Sequence, residues 1–121
     1  MSVQENIEVA RKWNLEVINQ GKVDALAEVI HPQYQWRGGT DGPWSTAFSG
    51  IEGVKKNLLG ESGSEASNFR ITIEDIFGEG DKVALRMTFW NGEKPTGMAI
   101  AIYRFSEGKI VDDWACFTEL K

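Results

Sequence analysis

Four consecutive β-patterned stretches fill the chain from Phe69 to Leu120, and this feature constrains the fold more than any other. The stretches are FRITIEDIF, KVALRMTFW, TGMAIAIYRF and KIVDDWACFTEL, and the glycine-containing segments GEGD, NGEKP and SEGK separate them. Turns this short join antiparallel neighbours, because a parallel pair needs a long crossover connection. The sequence therefore predicts a four-stranded antiparallel meander. A further strand is predicted to begin within 33–37.

The first half of the chain has the patterning of helices. Ser2 and Glu5 have the spacing of a capping box. Apolar residues then recur with a helical period, and the helix is predicted to end at Gly21, which suits a left-handed C-cap. Two shorter helices are predicted at 23–31 and 50–60. Helices followed by a run of consecutive strands are typical of the α+β class.

Side-chain alternation assigns the residues of each strand to one of two faces. In the second stretch, one face is apolar and consists of Val83, Leu85, Met87 and Phe89. In the last stretch, the residues assigned to the inward face are Ile110, Asp112, Trp114, Cys116 and Thr118. Apolar and polar residues occur on both faces of that strand, which favours a sheet covered on both sides. The pattern therefore predicts helices on the inside and, on the outside, a second copy in a homodimer formed through the sheet.

Composition limits the classes of function. The length of 121 residues predicts a single domain over 1–121. No stretch approaches 18 consecutive apolar residues and the polar N-terminus has no h-region, so neither a membrane span nor a signal peptide is expected. Cys116 is the only cysteine, which favours a reducing, cytoplasmic setting. The net charge of −5, with no basic run longer than KK, argues against nucleic acid as a partner.

Four segments carry a family resemblance: NQGKVDALAEVIHPQY, SGIEGVKKNL, FRITIEDIFGEGDKVALRMTF and KPTGMAIAIYRFSEGKIVDDW. In this order and spacing, they resemble the nuclear-transport-factor-2-like superfamily, and within it the SnoaL-like polyketide (ester) cyclase group. The resemblance covers about residues 5 to 119. It implies a cone, in which a strongly curved sheet wraps around the long N-terminal helix and leaves a pocket at its wide end. It also implies dimerisation through the sheet.

The resemblance leaves two classes of function open. One is binding of a small apolar or aromatic molecule with acid/base catalysis by carboxylates, as in cyclases, isomerases and hydrolases. The other is a non-catalytic ligand-binding or dimerisation module of the same fold. Cyclases of this group usually carry an acid four residues after the tryptophan of the last strand, where this chain has Thr118. They also use histidines, whereas the only histidine here is His31.

Asp112 is the candidate catalytic residue. It is the one acid assigned to the inward face of the last strand, and desolvation in a pocket would raise its pKa and make it a usable general base. The alternative is a carboxylate at the rim of the pocket, either solvated or paired with Arg104 across the hairpin.

The candidate ligand-binding residues are side chains expected to face the pocket: Trp13, Asn14, Tyr34, Trp36, Tyr103, Trp114, Cys116 and Thr118. For the aromatic residues, the alternative is plain core packing. For Asn14 it is a hydrogen bond to a backbone carbonyl, and Cys116 suits a small hydrophobe better than a nucleophile.

Three other polar residues are candidates for a functional role. Arg37 and Asp41 could orient an oxygenated ligand or form an ordinary surface pair. His31 is expected to interact with the carbonyls at the end of the second helix. A single histidine without clustered cysteines or carboxylates argues against a metal site, and the sequence indicates no cofactor.

Overall fold

The computed structural model describes residues 2–38, 48–56 and 68–120. Its helical elements are α1 (Val3–Lys12), which continues as a π-helical segment (Trp13–Ile18), a 3₁₀ turn (Val23–Ala25), α2 (Leu26–Val29) and α3 (Gly50–Val54). Its strands are β1 (Ile30–Trp36), β2 (Phe48–Ser49), β3 (Phe69–Glu79), β4 (Lys82–Asn91), β5 (Lys94–Ser106) and β6 (Lys109–Glu119).

The N-terminal helix begins as the sequence predicts. The Ser2 hydroxyl accepts a hydrogen bond from the Glu5 amide at 3.1 Å, and the Glu5 carboxylate accepts one from the Ser2 amide at 3.0 Å. These two bonds satisfy amide groups that have no partner within the helix. The capping box is therefore confirmed.

The second helix is shorter than the pattern predicts. It ends at Val29, and β1 already begins at Ile30 and runs through Pro32. Proline disfavours the helical conformation of the residue before it, and the extended backbone gains a parallel partner in β6. Pairing with a distant strand thus decides where this helix ends. Of the predicted third helix, the described part begins at Gly50 as expected.

The described strands form one six-stranded sheet in the order β2-β1-β6-β5-β4-β3. The pairs β3–β4, β4–β5 and β5–β6 are antiparallel, which confirms the predicted meander. Of the strands in residues 2–38, 48–56 and 68–120, only β1 and β6 pair in parallel. The helices pack in the concave face of this curved, open, mainly antiparallel sheet, so the predicted α+β cone is confirmed.

The face assignments hold in β4 and fail in β6. All four predicted inward residues of β4 are buried. In β6, Ile110 pairs with Phe105 but Asp112 pairs with Arg104, so Val111 is an extra residue with no partner in β5. Such a bulge exchanges the two faces of the strand beyond it. Beyond the bulge, the inward residues are therefore Asp113, Ala115 and Phe117.

None of the helices within the described ranges combines the length and hydrophobicity needed to cross a membrane.

Candidate functional site

A cavity of about 90 Å³ lies between the N-terminal helix and the concave face of the sheet. Most of its wall is apolar or aromatic, and the polar groups on it belong to a small subset of the side chains. The lining residues are Trp13, Asn14, Ile18, Trp36, Phe69, Ile71, Met87, Phe89, Ala99, Ala101, Tyr103, Asp113, Ala115 and Phe117. An apolar cavity with a few convergent polar groups is the usual form of a small-molecule site.

The π-helical segment of the N-terminal helix brings neighbouring residues to this cavity. Trp13 and Asn14 open the segment and Ile18 closes it, and all three line the wall. Just beyond it, the Asn19 side chain donates to the Ile71 carbonyl at 2.8 Å and accepts from the Ile71 amide at 2.7 Å. The side-chain amide of Asn19 thereby makes the two hydrogen bonds that a neighbouring strand would make, and it fixes the end of the helix against edge strand β3. Local π-helical geometry is often found at functional sites.

Aromatic pairs stiffen two sides of the cavity. The Trp36 and Phe48 rings are stacked with their centroids 5.5 Å apart. The Phe89 and Phe117 rings are stacked at 5.4 Å on the opposite part of the sheet. Stacked pairs fix ring orientation as well as burying apolar area, so the walls are suited to a flat apolar ligand.

Among the described residues that line the cavity, Asp113 is the one carboxylate. It is almost fully buried, and its Oδ2 accepts a hydrogen bond of 2.6 Å from the hydroxyl of Tyr34. Its Oδ1 is equally buried and has no hydrogen-bond partner within the described part of the chain. An unpartnered buried carboxylate oxygen costs free energy, because it has given up its water without replacement.

Burial raises the pKa of Asp113 to about 7, although the hydrogen bond from Tyr34 acts in the opposite direction. Desolvation penalises the charged form of a carboxyl group. Tyr34 is itself buried, and desolvation together with the nearby Asp113 raises the pKa of its hydroxyl well above the usual range. Tyr34 therefore stays protonated and donates. Asp113 can hold or release a proton near neutral pH.

Tyr103 is the cross-strand neighbour of Asp113, because the two residues are paired in register between β5 and β6. Its hydroxyl oxygen accepts a hydrogen bond of 3.0 Å from the amide nitrogen of Asn14, which also donates to the Ala10 carbonyl at 3.0 Å. Burial, reinforced by the charge of Asp113, raises the pKa of Tyr103. A hydroxyl donor and a carboxylate acceptor thus face the same cavity from adjacent strands.

Asp112 lies on the other face of the sheet, and its assignment to the inward face is wrong. Its Oδ1 accepts from the Arg37 guanidinium at 2.9 Å, and its Oδ2 accepts from Arg104 Nε at 2.6 Å. The bulge at Val111 is the physical reason for this orientation. The alternative considered from the sequence, a pair with Arg104 across the hairpin, is the arrangement found, with Arg37 as an additional partner.

The other predicted ligand-binding residues divide in the same way. Trp13, Asn14, Trp36 and Tyr103 line the cavity. Tyr34 is buried and donates a hydrogen bond to Asp113, but it is not among the lining residues. Trp114, Cys116 and Thr118 are exposed on the outer face, so their predicted inward orientation is wrong. The Arg37 guanidinium lies 5.8 Å from the centre of the Trp114 ring on that outer side.

His31 does not cap a helix. Its Nε2 is 3.2 Å from a carboxylate oxygen of Glu107, and its Nδ1 accepts from the Gln33 amide at 3.0 Å. The early start of β1 removes the helix end that the prediction required. Asp41 lies outside the described residues. Within the described ranges, no three His, Cys, Asp or Glu side chains are grouped so that they could hold a metal ion.

Asp113 is a cavity residue that the strand pattern did not predict, whereas its neighbour Asp112 was predicted to face inward. The signal that could have found it is the pairing across the SEGK turn. Tyr103 on β5 faces inward, and the residue directly opposite it on β6 must face the same side of the sheet. Locating that opposite residue requires the position of the bulge, which the alternation within β6 does not reveal.

Comparison with known proteins identifies the family. A model of the SnoaL-like domain matches residues 10–113. The chain belongs to the SnoaL-like domain family. The resemblance stated from the sequence motifs is thereby confirmed. No curated protein matches the chain at a significant level.

Solved structures share the fold of this SnoaL-like chain at low sequence identity. A nuclear-transport-factor-2-like protein of unknown function from Mesorhizobium loti has a TM-score of 0.76 and 19% identity, covering 96% of this chain and 93% of its own. A candidate ketosteroid isomerase from Kribbella flavida has a TM-score of 0.73 and 12% identity, with coverage of 98% and 82%. A candidate polyketide cyclase from Acidithiobacillus ferrooxidans has a TM-score of 0.72 and 18% identity, with coverage of 97% and 91%.

Proposed function

We propose that this SnoaL-like domain binds a small, largely apolar molecule in the cavity and transfers a proton to and from it through Asp113. The observation that carries the proposal is the Asp113 carboxylate, which is buried in an apolar cavity with Oδ1 unpartnered. Such a group lowers the stability of the fold, and a role in function explains why the chain retains it. Proton transfer to a bound ligand is the function that these properties support best.

The pKa of about 7 suits this role, because a general base is most effective when its pKa lies near the working pH. In the ionised form, Oδ1 takes a proton from an acidic C–H or O–H group of the ligand. Tyr34 holds Oδ2 and fixes the plane of the carboxylate. The protonated Asp113 then returns the proton to another atom of the ligand. The net result is an isomerisation, or a ring closure if the deprotonated carbon attacks a second carbonyl.

The printed names of the structural neighbours are compatible with such chemistry, since they include a candidate isomerase and a candidate cyclase. At identities below 25% this likeness concerns the fold, and the chemistry has to be argued from the site. The apolar and aromatic wall of the cavity favours an apolar or aromatic ligand. Asp113, the carboxylate among the described lining residues, can act as the proton-transfer group.

Exchange of α-hydrogens into D₂O, followed by ¹H NMR, tests the proposal without knowledge of the natural ligand. Acetone, cyclohexanone and acetophenone serve as probes. We expect the wild type to accelerate exchange of at least one of them, with a rate that rises with pH around a midpoint near 7. Asp113→Asn should lower the rate at least tenfold. Asp112→Asn is the matched control, since it changes the adjacent carboxylate outside the cavity and should retain the rate.

An exchange rate unaffected by Asp113→Asn, or lost in Asp112→Asn, would contradict the assignment. If the wild type binds a probe but exchanges none of them faster than Asp113→Asn does, the non-catalytic binding module is the correct function.

A further inference from the structure

The hydroxyl of Tyr103 has an orientation that the surrounding hydrogen bonds determine. The Asn14 side chain could be placed with either its oxygen or its nitrogen toward Ala10 and Tyr103, since the two atoms have nearly the same shape. The carbonyl of Ala10 lies 3.0 Å from this atom and can only accept. The atom is therefore the amide nitrogen, and both of its hydrogens are used, one on Ala10 and one on Tyr103.

This arrangement makes the Tyr103 oxygen an acceptor and leaves its own hydrogen to point elsewhere. Within residues 2–38, 48–56 and 68–120, no acceptor receives that hydrogen. Burial raises the pKa of the hydroxyl, so the hydrogen is present throughout the neutral range. Tyr103 lines the cavity, whereas Ala10 does not. Tyr103 thus keeps an unused hydroxyl hydrogen, and it is a residue that lines the space where a ligand would lie.

We propose that the Tyr103 hydroxyl is a binding point for a ligand oxygen and that Asn14 is the residue that positions its hydrogen. The inference rests on the proposed function and narrows its ligand to compounds that carry an accepting oxygen, such as a carbonyl. Tyr103 and Asp113 are directly opposite each other on adjacent strands. Opposite side chains begin about 5 Å apart, so the accepting oxygen and the acidic hydrogen of the ligand are separated by only a few bonds.

A pair of isosteric probes tests this inference without any catalysis. Acetophenone and α-methylstyrene have nearly the same shape and differ in a carbonyl oxygen against a CH₂ group. The preference for acetophenone is the ratio of its affinity to that of α-methylstyrene, measured by ¹H–¹⁵N NMR titration at pH 8.5, where Asp113 is ionised. The alkene leaves water more readily than the ketone, so the hydrogen bond is measured by the change in this ratio between variants. The ratio should be roughly five- to tenfold higher in the wild type than in a protein without the Tyr103 hydroxyl, because one hydrogen bond contributes about 1 kcal/mol.

The preference should fall roughly five- to tenfold in Tyr103→Phe, which removes only the hydroxyl. It should also fall in Asn14→Leu, where the hydroxyl persists but its hydrogen is no longer directed. General damage to the fold weakens both probes alike and leaves their ratio unchanged, so the ratio separates positioning from structural support. If Asn14→Leu does not fold, Tyr103→Phe still decides whether the hydroxyl binds the oxygen.

The preference is measured by binding alone, whereas α-hydrogen exchange measures proton transfer, so this inference and the proton-transfer proposal can fail separately. Absence of α-hydrogen exchange in the wild type, together with a preference that Tyr103→Phe removes, would refute only catalysis. A Tyr103→Phe variant whose preference stays within twofold of the wild-type value would overturn the inference. An Asn14→Leu variant that folds and keeps the full preference would refute the positioning role.

Discussion

Replacing Asp113 by asparagine should stabilise the protein, and the gain should depend on pH. The pKa of Asp113 is about 7 in the folded state and 3.8 for an ordinary aspartate, which approximates the unfolded chain. Between these two values the folded state keeps a proton that the unfolded state has released. Stability changes with pH in proportion to the protons bound by the unfolded minus the folded state, and this difference is negative. The contribution of Asp113 to stability therefore falls as pH rises.

The size of this effect follows from the separation of the two pKa values. A difference of about 3 units corresponds to about 4 kcal/mol, at about 1.4 kcal/mol per pH unit. None of this cost is present below pH 4, and all of it is present above pH 7. Asparagine avoids it, since it is neutral at every pH and its oxygen can still accept the Tyr34 hydrogen. The stability difference between variant and wild type should thus grow from pH 4 to 7 and then level off.

Urea denaturation of wild type and Asp113→Asn at one-unit steps from pH 4 to 9 measures this difference, because contributions of other titrating groups cancel between the two proteins. Tyr34→Phe provides an internal check. The Tyr34 hydrogen bond lowers the pKa of Asp113. In a Tyr34→Phe background, the stability difference made by Asp113→Asn should therefore level off at a pH above 7. A difference that does not change between pH 4 and 8 would refute the reasoning, since Asp113 would then titrate alike in the folded and unfolded states.

Two further predictions concern other parts of the molecule. We propose that two copies pair through the outer face of β5 and β6. On this face Ile100, Ile102 and Trp114 are 52%, 41% and 38% exposed. An apolar strip of this kind is self-complementary in a two-fold dimer. Analytical ultracentrifugation should give a dimer for the wild type and for Phe77→Glu on β3, and a monomer for Ile102→Glu, whereas a monomeric wild type would exclude the interface. Asn19→Ala should lower the free energy of unfolding in urea by about 1–3 kcal/mol, because it leaves the Ile71 amide and carbonyl without their partner. Gln20→Ala is the control, since Gln20 is the exposed neighbour, and it should change stability by less than about 0.5 kcal/mol. Equal effects of these two substitutions would show that the Asn19 bonds contribute nothing to stability.

The elements set by local chemistry could be predicted from the sequence. The meander is a clear case, because the turns between its strands contain Gly80, Gly92 and Gly108, all with positive φ angles between 60° and 77°. Glycine adopts this conformation without steric cost, and such turns join adjacent antiparallel strands. The capping box of the first helix is equally local. In both cases the deciding atoms lie within a few residues of one another.

Features that depend on distant partners were not predictable from local patterns. The end of the second helix is decided by the pairing of Ile30 with Ile110, residues far apart in the sequence. The cavity residues contributed by the N-terminal helix, β1 and β5 could be predicted because the π-helical segment and the register shift in β1 leave them on the inward side. Tyr103 and Trp36 are examples. The residues of β6 were assigned to the wrong face because one unpaired residue precedes them.

That single residue determines which of two adjacent carboxylates enters the cavity. Without the bulge at Val111, alternation from the inward Ile110 would direct Asp112 to the cavity and Asp113 to the outer face. With it, Asp112 meets two arginines whose side chains are 47% and 39% exposed, and Asp113 meets an apolar wall and one tyrosine. The same chemical group is thus neutralised by charge on one face and desolvated on the other. Because desolvation raises the pKa of Asp113 toward neutrality, the bulge positions the proposed proton-transfer group as well as shaping the strand.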